Sequence, residues 1–161
     1  MKRLIVAVLA AACVLGVGAY VKDRLVSLLK SPFPRCTDDD RQLGSHLVAL
    51  SILDAHPVGA NPSGKRLGGC DDDDRLAYAE QFYRLSASHA DVPAFYREAA
   101  IKDGWRSAPV PEEGAGMTLV CLTRVISGRN VFLSMSYSDG KGGDEYLLQV
   151  RSGPSGGNLC W

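Results

Sequence analysis

The sequence predicts an α+β fold: an antiparallel sheet of about four to five strands with one or two helices packed on one face, preceded by one N-terminal transmembrane helix. Three observations lead there. Leu4 to Val21 is a run of eighteen residues without a charge, Asp91 to Trp105 spells a short amphipathic helix, and only β signals follow Trp105.

The N-terminal run comes first. As a helix it spans about 27 Å at 1.5 Å per residue, close to the roughly 30 Å hydrocarbon core of a bilayer. Nine of its residues are Leu, Ile or Val, a composition that favours insertion by on the order of 3 to 5 kcal/mol. Lys2 and Arg3 hold the N-terminus in the cytoplasm, and Lys22-Asp23-Arg24 stops the run, so everything after Val21 faces outward. A retained single-pass anchor is the reading taken. A cleaved signal peptide with Val17-Gly18-Ala19 at the cleavage positions is the alternative, and a lipoprotein signal ending at Cys13 is a third. The chain therefore divides into an anchor and juxtamembrane helix over 1–30, a linker over 31–35 and an extracytoplasmic domain over 36–161.

Ser31-Pro32-Phe33-Pro34 ends the juxtamembrane segment. Thr37-Asp38-Asp39-Asp40 opens a helix over about 38–50, with Leu43, Leu47, Val48 and Leu50 on its apolar face. Ser51 to Ala55 reads as a short strand stopped by His56-Pro57, and Gly59 to Gly69 as a loop. Leu76 to Leu85 carries both signals: Tyr78, Phe82 and Tyr83 favour a strand, Ala77, Ala79, Glu80 and Gln81 a helix. A strand is chosen, because a turn over 86–90 and a second helix follow at once.

In that second helix Asp91 caps the first turn and Pro93 sits where its missing donor costs nothing. Val92, Phe95, Tyr96, Ala99 and Ala100 recur on one face, Arg97 and Glu98 point outward, and Gly104 suits the left-handed position that ends a helix. Beyond Trp105, Arg106 to Val110 is a short strand and Pro111 to Gly116 a loop. Met117 to Ile126, apolar at most positions, is a central strand. Ser127-Gly128-Arg129-Asn130 is a hairpin turn, and Val131 to Tyr137 alternates as a strand does. Asp139 to Gly143 turns the chain into a last strand, Glu145 to Arg151, and a Gly-rich tail follows.

Net charge excludes one class of partner. Without Lys2 and Arg3 the 18 basic side chains fall to 16 against 18 acidic, a net of −2. No basic patch remains for nucleic acid.

Cysteine usage agrees with export. Cys36, Cys70, Cys121 and Cys160 form an even set, which in an oxidising compartment means disulfides, and no C-x2–4-C spacing suggests zinc. Four cysteines allow three pairings. Cys36–Cys70 and Cys121–Cys160 are preferred: Cys36 and Cys70 each open an acidic C-x-D-D-D-R turn, and the Gly-rich tail frees Cys160 to reach Cys121. Each link would contribute roughly 4 kcal/mol by the chain-entropy estimate.

Four motifs look like chemistry and fail as such. The C-x-D-D-D-R echo, Cys36 to Arg41 and Cys70 to Arg75, offers carboxylates to calcium, but neighbouring side chains diverge and the spaced ligand loop is missing. An acidic, Arg-paired turn is the plainer reading. Gly59 to Arg66 nearly spells a phosphate-binding loop, yet Arg66 stands where the metal-binding hydroxyl belongs. Gly153 to Gly157 matches G-x-S-x-G with no room for a helix or later partners. His46, His56 and His89 lie far apart in sequence, so they imply no metal site. No cofactor, metal or catalytic residue is assigned.

Cys70-Asp71-Asp72-Asp73-Asp74-Arg75, Phe95-Tyr96-Arg97-Glu98-Ala99-Ala100, Asp103-Gly104-Trp105 and Cys121-Leu122-Thr123-Arg124 resemble small membrane-anchored or secreted bacterial proteins of unassigned activity, over most of 36–161. The resemblance implies an exported α+β domain and supplies no catalytic residue. The function expected is that of a membrane-tethered binding or interaction module with a cell-envelope protein partner. A small hydrolase assembled from scattered Asp and His is the alternative.

Overall fold

The computed structural model describes residues 35–86, 92–110, 118–138 and 144–160. The anchor over 4–21, Cys13, the juxtamembrane helix, most of the linker, the Asp91 cap, His89, the loop after Val110 and the 139–143 turn lie outside these residues. No described helix is long and apolar enough to cross a membrane.

Two helices and six strands make up the described chain: α1 (Asp38–Val48), β1 (Ala60–Asp71), β2 (Leu76–Leu85), α2 (Val92–Lys102), β3 (Arg106–Ser107), β4 (Thr118–Ile126), β5 (Arg129–Tyr137) and β6 (Glu145–Ser152). The strands form one antiparallel sheet in the order β1-β2-β6-β5-β4-β3. The class is α+β as expected, with more strands than expected. The sheet is a β3-to-β6 meander whose last strand pairs with the β1–β2 hairpin.

Alternation sorts each strand into two faces. Ala79 and Tyr83 of β2, Tyr146 and Leu148 of β6, Leu133 and Met135 of β5 and Leu122 of β4 point to one side and are fully buried. There they join Leu43 and Leu47 of α1 and Tyr96 and Ala100 of α2 in one core. Tyr83 stacks on Tyr146 at 5.1 Å, and the Tyr96 and Tyr146 hydroxyls lie 3.0 Å apart. Burial pushes the Tyr83 phenol up to about 12, so it stays neutral at ordinary pH.

α1 starts where the sequence places it. The Thr37 hydroxyl accepts from the Asp40 N–H at 3.2 Å while the Asp40 carboxylate accepts from the Thr37 N–H at 2.9 Å, a reciprocal capping box. The helix crosses β1 at very short range. A Cβ placed on Gly44 would stand 2.2 Å from the Gly69 carbonyl oxygen, so only glycine permits this approach. α2 ends in a Schellman motif around Gly104, at φ +82: the Gly104 and Trp105 N–H groups donate to Ile101 and Ala100. Trp105 is then buried under the helix.

Four expectations are corrected. Residues 51–55 form no strand; Ser51–Leu53 is a 3-10 turn, which lets the adjacent Ile52 and Leu53 both face the core, as strand alternation would not. Gly59 to Gly69 is no loop but most of β1. As the edge strand it accommodates Pro62 and a register shift between Ser63 and Leu67, with Gly64 at φ +74. The strand after Trp105 shrinks to β3, with one further bond from the Ala108 N–H to the Cys121 carbonyl. β4 is next to the edge rather than central. It reads as continuously apolar because α2 covers one face while Ala108, Val110, Leu159 and Cys160 cover Cys121 and Phe132 on the other.

Cys36 is joined to Cys70 and Cys121 to Cys160, with Cα separations of 6.3 and 5.7 Å. Digestion of the non-reduced protein is expected to yield these two linked peptides by mass spectrometry. A Cys36–Cys121 or Cys36–Cys160 peptide would contradict the arrangement of α1 on β1.

Candidate functional site

The repeated C-x-D-D-D-R motif proves to be two halves of one clasp. The disulfide joins the leading cysteines, and the chain following each one carries the arginine that pairs with the other copy's aspartate. Arg75 reaches Asp40 through Nε at 3.1 Å and Nη2 at 2.9 Å, and Arg41 reaches Asp72 at 3.1 Å. The Cys36 N–H also donates to Asp72, at 2.9 Å. Each arginine was expected to pair within its own turn; the pairing is between copies instead.

Asp40 is the centre of the clasp and is 2% exposed. Its second oxygen accepts from Arg129 Nη1, at the start of β5. Burial alone would raise its pKa. The Thr37 N–H and hydroxyl and the Arg75 and Arg129 guanidiniums outweigh that and hold the carboxyl far below the usual range. Among the described residues no three His, Cys, Asp or Glu side chains are grouped to hold a metal ion.

Arg129 is brought there by the hairpin. Ser127 and Gly128, at φ +50 and +76, form a two-residue turn of the type that suits strand twist, with Ile126 opposite Arg129. Arg129, Ser127, Asp39, Gln42, Leu43 and His46 then line a cavity of about 490 Å³ between α1 and this turn. Asp39, His46 and Ser127 carry the residue types of a nucleophilic triad. They do not form one: seven residues along α1 separate Asp39 from His46 by about 10 Å, far beyond a hydrogen bond.

The remaining sequence motifs dissolve into structure. Arg66 of the near phosphate loop donates to the Val48 and Leu53 carbonyls and to Asp54, closing the ends of α1 and the 3-10 turn. Gly153 to Gly157 follows β6 as a turn. The His56 ring lies 5.7 Å from that of Tyr83 and is not among the residues that line the His46 cavity.

The sheet face away from the helices has two characters. Over β4 and β5 it is closed by the tail through Cys160. Over β1, β2 and β6 it presents Tyr78, Phe82 and Leu147, all partly exposed, and Leu67, 52% exposed. Phe82 stands opposite Leu147. A polar rail crosses beside them: Arg151 donates to Gln149 at 2.8 Å and Gln149 to Glu80 at 3.0 Å, and Arg84 pairs with Glu145 at 2.7 Å.

No family model, curated protein or solved structure matches the chain.

Proposed function

We propose that the chain is a membrane-tethered, extracytoplasmic interaction module that acts by presenting a surface and not by catalysis. The observation that supports this most is the mixed sheet face over β1, β2 and β6. Tyr78, Phe82 and Leu147 sit there part-exposed beside the Arg84–Glu145 ion pair and the Gln149–Glu80 hydrogen bond, the aromatic-plus-polar composition that protein interfaces favour. Two disulfides in a domain this small fit an oxidising compartment, and the charge-free run over 4–21 supplies the tether.

Two measurements test the reading. With a tag at the C-terminus, protease added to intact cells should remove the tag; a protected tag overturns the orientation, and a tag found mainly in the medium replaces the anchor by a cleaved signal. A photo-crosslinking residue at position 82 should then capture a discrete envelope protein in living cells. The same residue at the exposed Ser45 on α1 should not. Equal capture at both positions, or none at 82, removes the sheet face as the working surface.

A further inference from the structure

We propose that the Cys36–Cys70 link is a charge-gated redox switch, opened in the folded domain by thiols that carry a positive group and guarded against anionic ones, while Cys121–Cys160 stays intact. This goes beyond the sheet-face reading and does not depend on it. The two links differ in their surroundings. Cys121 and Cys160 are 5% and 0% exposed, packed against Ala108, Val110 and Leu159. Cys36 is buried too, but Cys70 is part-exposed near the end of the edge strand β1, beside a run of four exposed aspartates. Exchange requires a thiolate to reach one sulfur of the bond, so Cys70 is the point of attack.

The reductant must approach through a negative field. The two aspartate runs, 38–40 and 71–74, carry seven carboxylates against the four guanidiniums of Arg35, Arg41, Arg75 and Arg129, a net charge of −3 around the bond. Each further negative charge on the attacking thiolate slows the encounter, and a positive group relieves it. The clasp keeps the domain folded once the bond opens. Arg41–Asp72 at 3.1 Å, Arg75–Asp40 at 2.9 Å and the Cys36 N–H on Asp72 at 2.9 Å join the same two segments as the sulfur bridge, and Leu43 and Leu47 hold α1 in the core. In the reaction the thiolate bonds to the Cys70 sulfur, and Cys36 leaves as a thiolate that takes a proton from water. A second reductant thiolate then displaces Cys70, so two electrons pass to the domain and one reductant disulfide is released.

The test treats the full chain, in non-ionic detergent micelles, with cysteamine or mercaptoacetate at equal thiolate concentration. Freed thiols are alkylated and mapped by mass spectrometry, which keeps Cys13 apart, and each rate is divided by that of the same thiol on hydroxyethyl disulfide, an uncharged reference. Cysteamine should open Cys36–Cys70 first and leave Cys121–Cys160 linked, with the near-ultraviolet circular dichroism of the buried aromatic side chains unchanged. At about 0.01 M salt its normalised rate should exceed that of mercaptoacetate about tenfold, and at about 1 M salt the two should converge. Asp73→Asn combined with Asp74→Asn, on the exposed turn, should narrow the gap at low salt. The unaltered chain decides through its salt dependence if that variant folds poorly. Equal normalised rates at low salt overturn the proposal, as do simultaneous opening of both links and loss of the folded signal with the first. Crosslinking at position 82 is read separately, so either idea can fail alone.

Discussion

Asp40→Ala is expected to cost about 3 kcal/mol, measured as a lowered urea midpoint with an unchanged slope. The change removes the carboxylate that Arg75 and Arg129 share and the N3 half of the α1 capping box at once. Breaking a buried pair by deleting one partner costs roughly 3–5 kcal/mol. The lower end applies here because Arg75 and Arg129 keep 30% and 25% of their surface and can rehydrate. The pH dependence carries the opposite face of the same effect. A carboxyl whose folded pKa is depressed contributes stability above its ordinary value of about 3.8, and loses it as pH falls towards the folded value. The unaltered chain should therefore lose stability progressively below about pH 4, and Asp40→Ala should show a flatter profile over that window. An Asp40→Ala protein as stable as its parent, with the same acid profile, would remove the clasp from the account.

Gly44→Ala should be nearly as damaging, against local expectation. On an isolated helix the change would stabilise by roughly 1 kcal/mol, since alanine is the better helix former. Here the new methyl would lie 2.2 Å from the Gly69 oxygen and 2.6 Å from its carbonyl carbon. Backbone cannot swing aside as a side-chain tip can, and the Cys36–Cys70 link ties α1 to the same strand. Overpacking of this kind costs about 1–3 kcal/mol and occasionally more, so a net loss of roughly 2 kcal/mol is expected in thermal or urea unfolding. A stabilised Gly44→Ala protein would mean that α1 does not cross β1 where described.

What the sequence revealed follows from how locally each signal is written. The two helices carry their own caps and periodicity, in Thr37 to Asp40 and in Val92 to Gly104, and needed no tertiary partner to be read. The Ser127-Gly128 turn and the alternation of Val131 to Tyr137 are equally local. β1 was hidden because an edge strand tolerates the Gly and Pro that mark loops; Gly68 leaves room for Val48 of α1, twenty residues earlier, whose methyl would stand 2.4 Å from a Cβ there. β4 was misplaced because an apolar run records two covered faces without saying what covers them, and half of that cover is the tail through Cys160. Of the site, the two Asp-rich copies were visible as an echo, but their mutual pairing was not, since charge pairs across 35 residues leave no periodic trace. Arg129 was missed altogether. It looked like one residue of a turn, and only the turn's geometry brings it to Asp40.

The positions of the two disulfides decide how the domain would bear a pull. Tension applied through a tether before Cys36 passes through sulfur to Cys70, so α1 and β1 lie in a closed loop that carries no load. The same shortcut at the other end, from Cys160 to Cys121, relieves β5 and β6. Between the termini the strain is borne only by the chain from Cys70 to Cys121, which contains β2, α2, β3 and the first part of β4. The two loops withhold 34 and 39 residues from extension. Stretched between its ends, an oxidised molecule would yield in its middle third while both flanks stayed at their full length of folded chain, and a reduced one would pay out from the ends first.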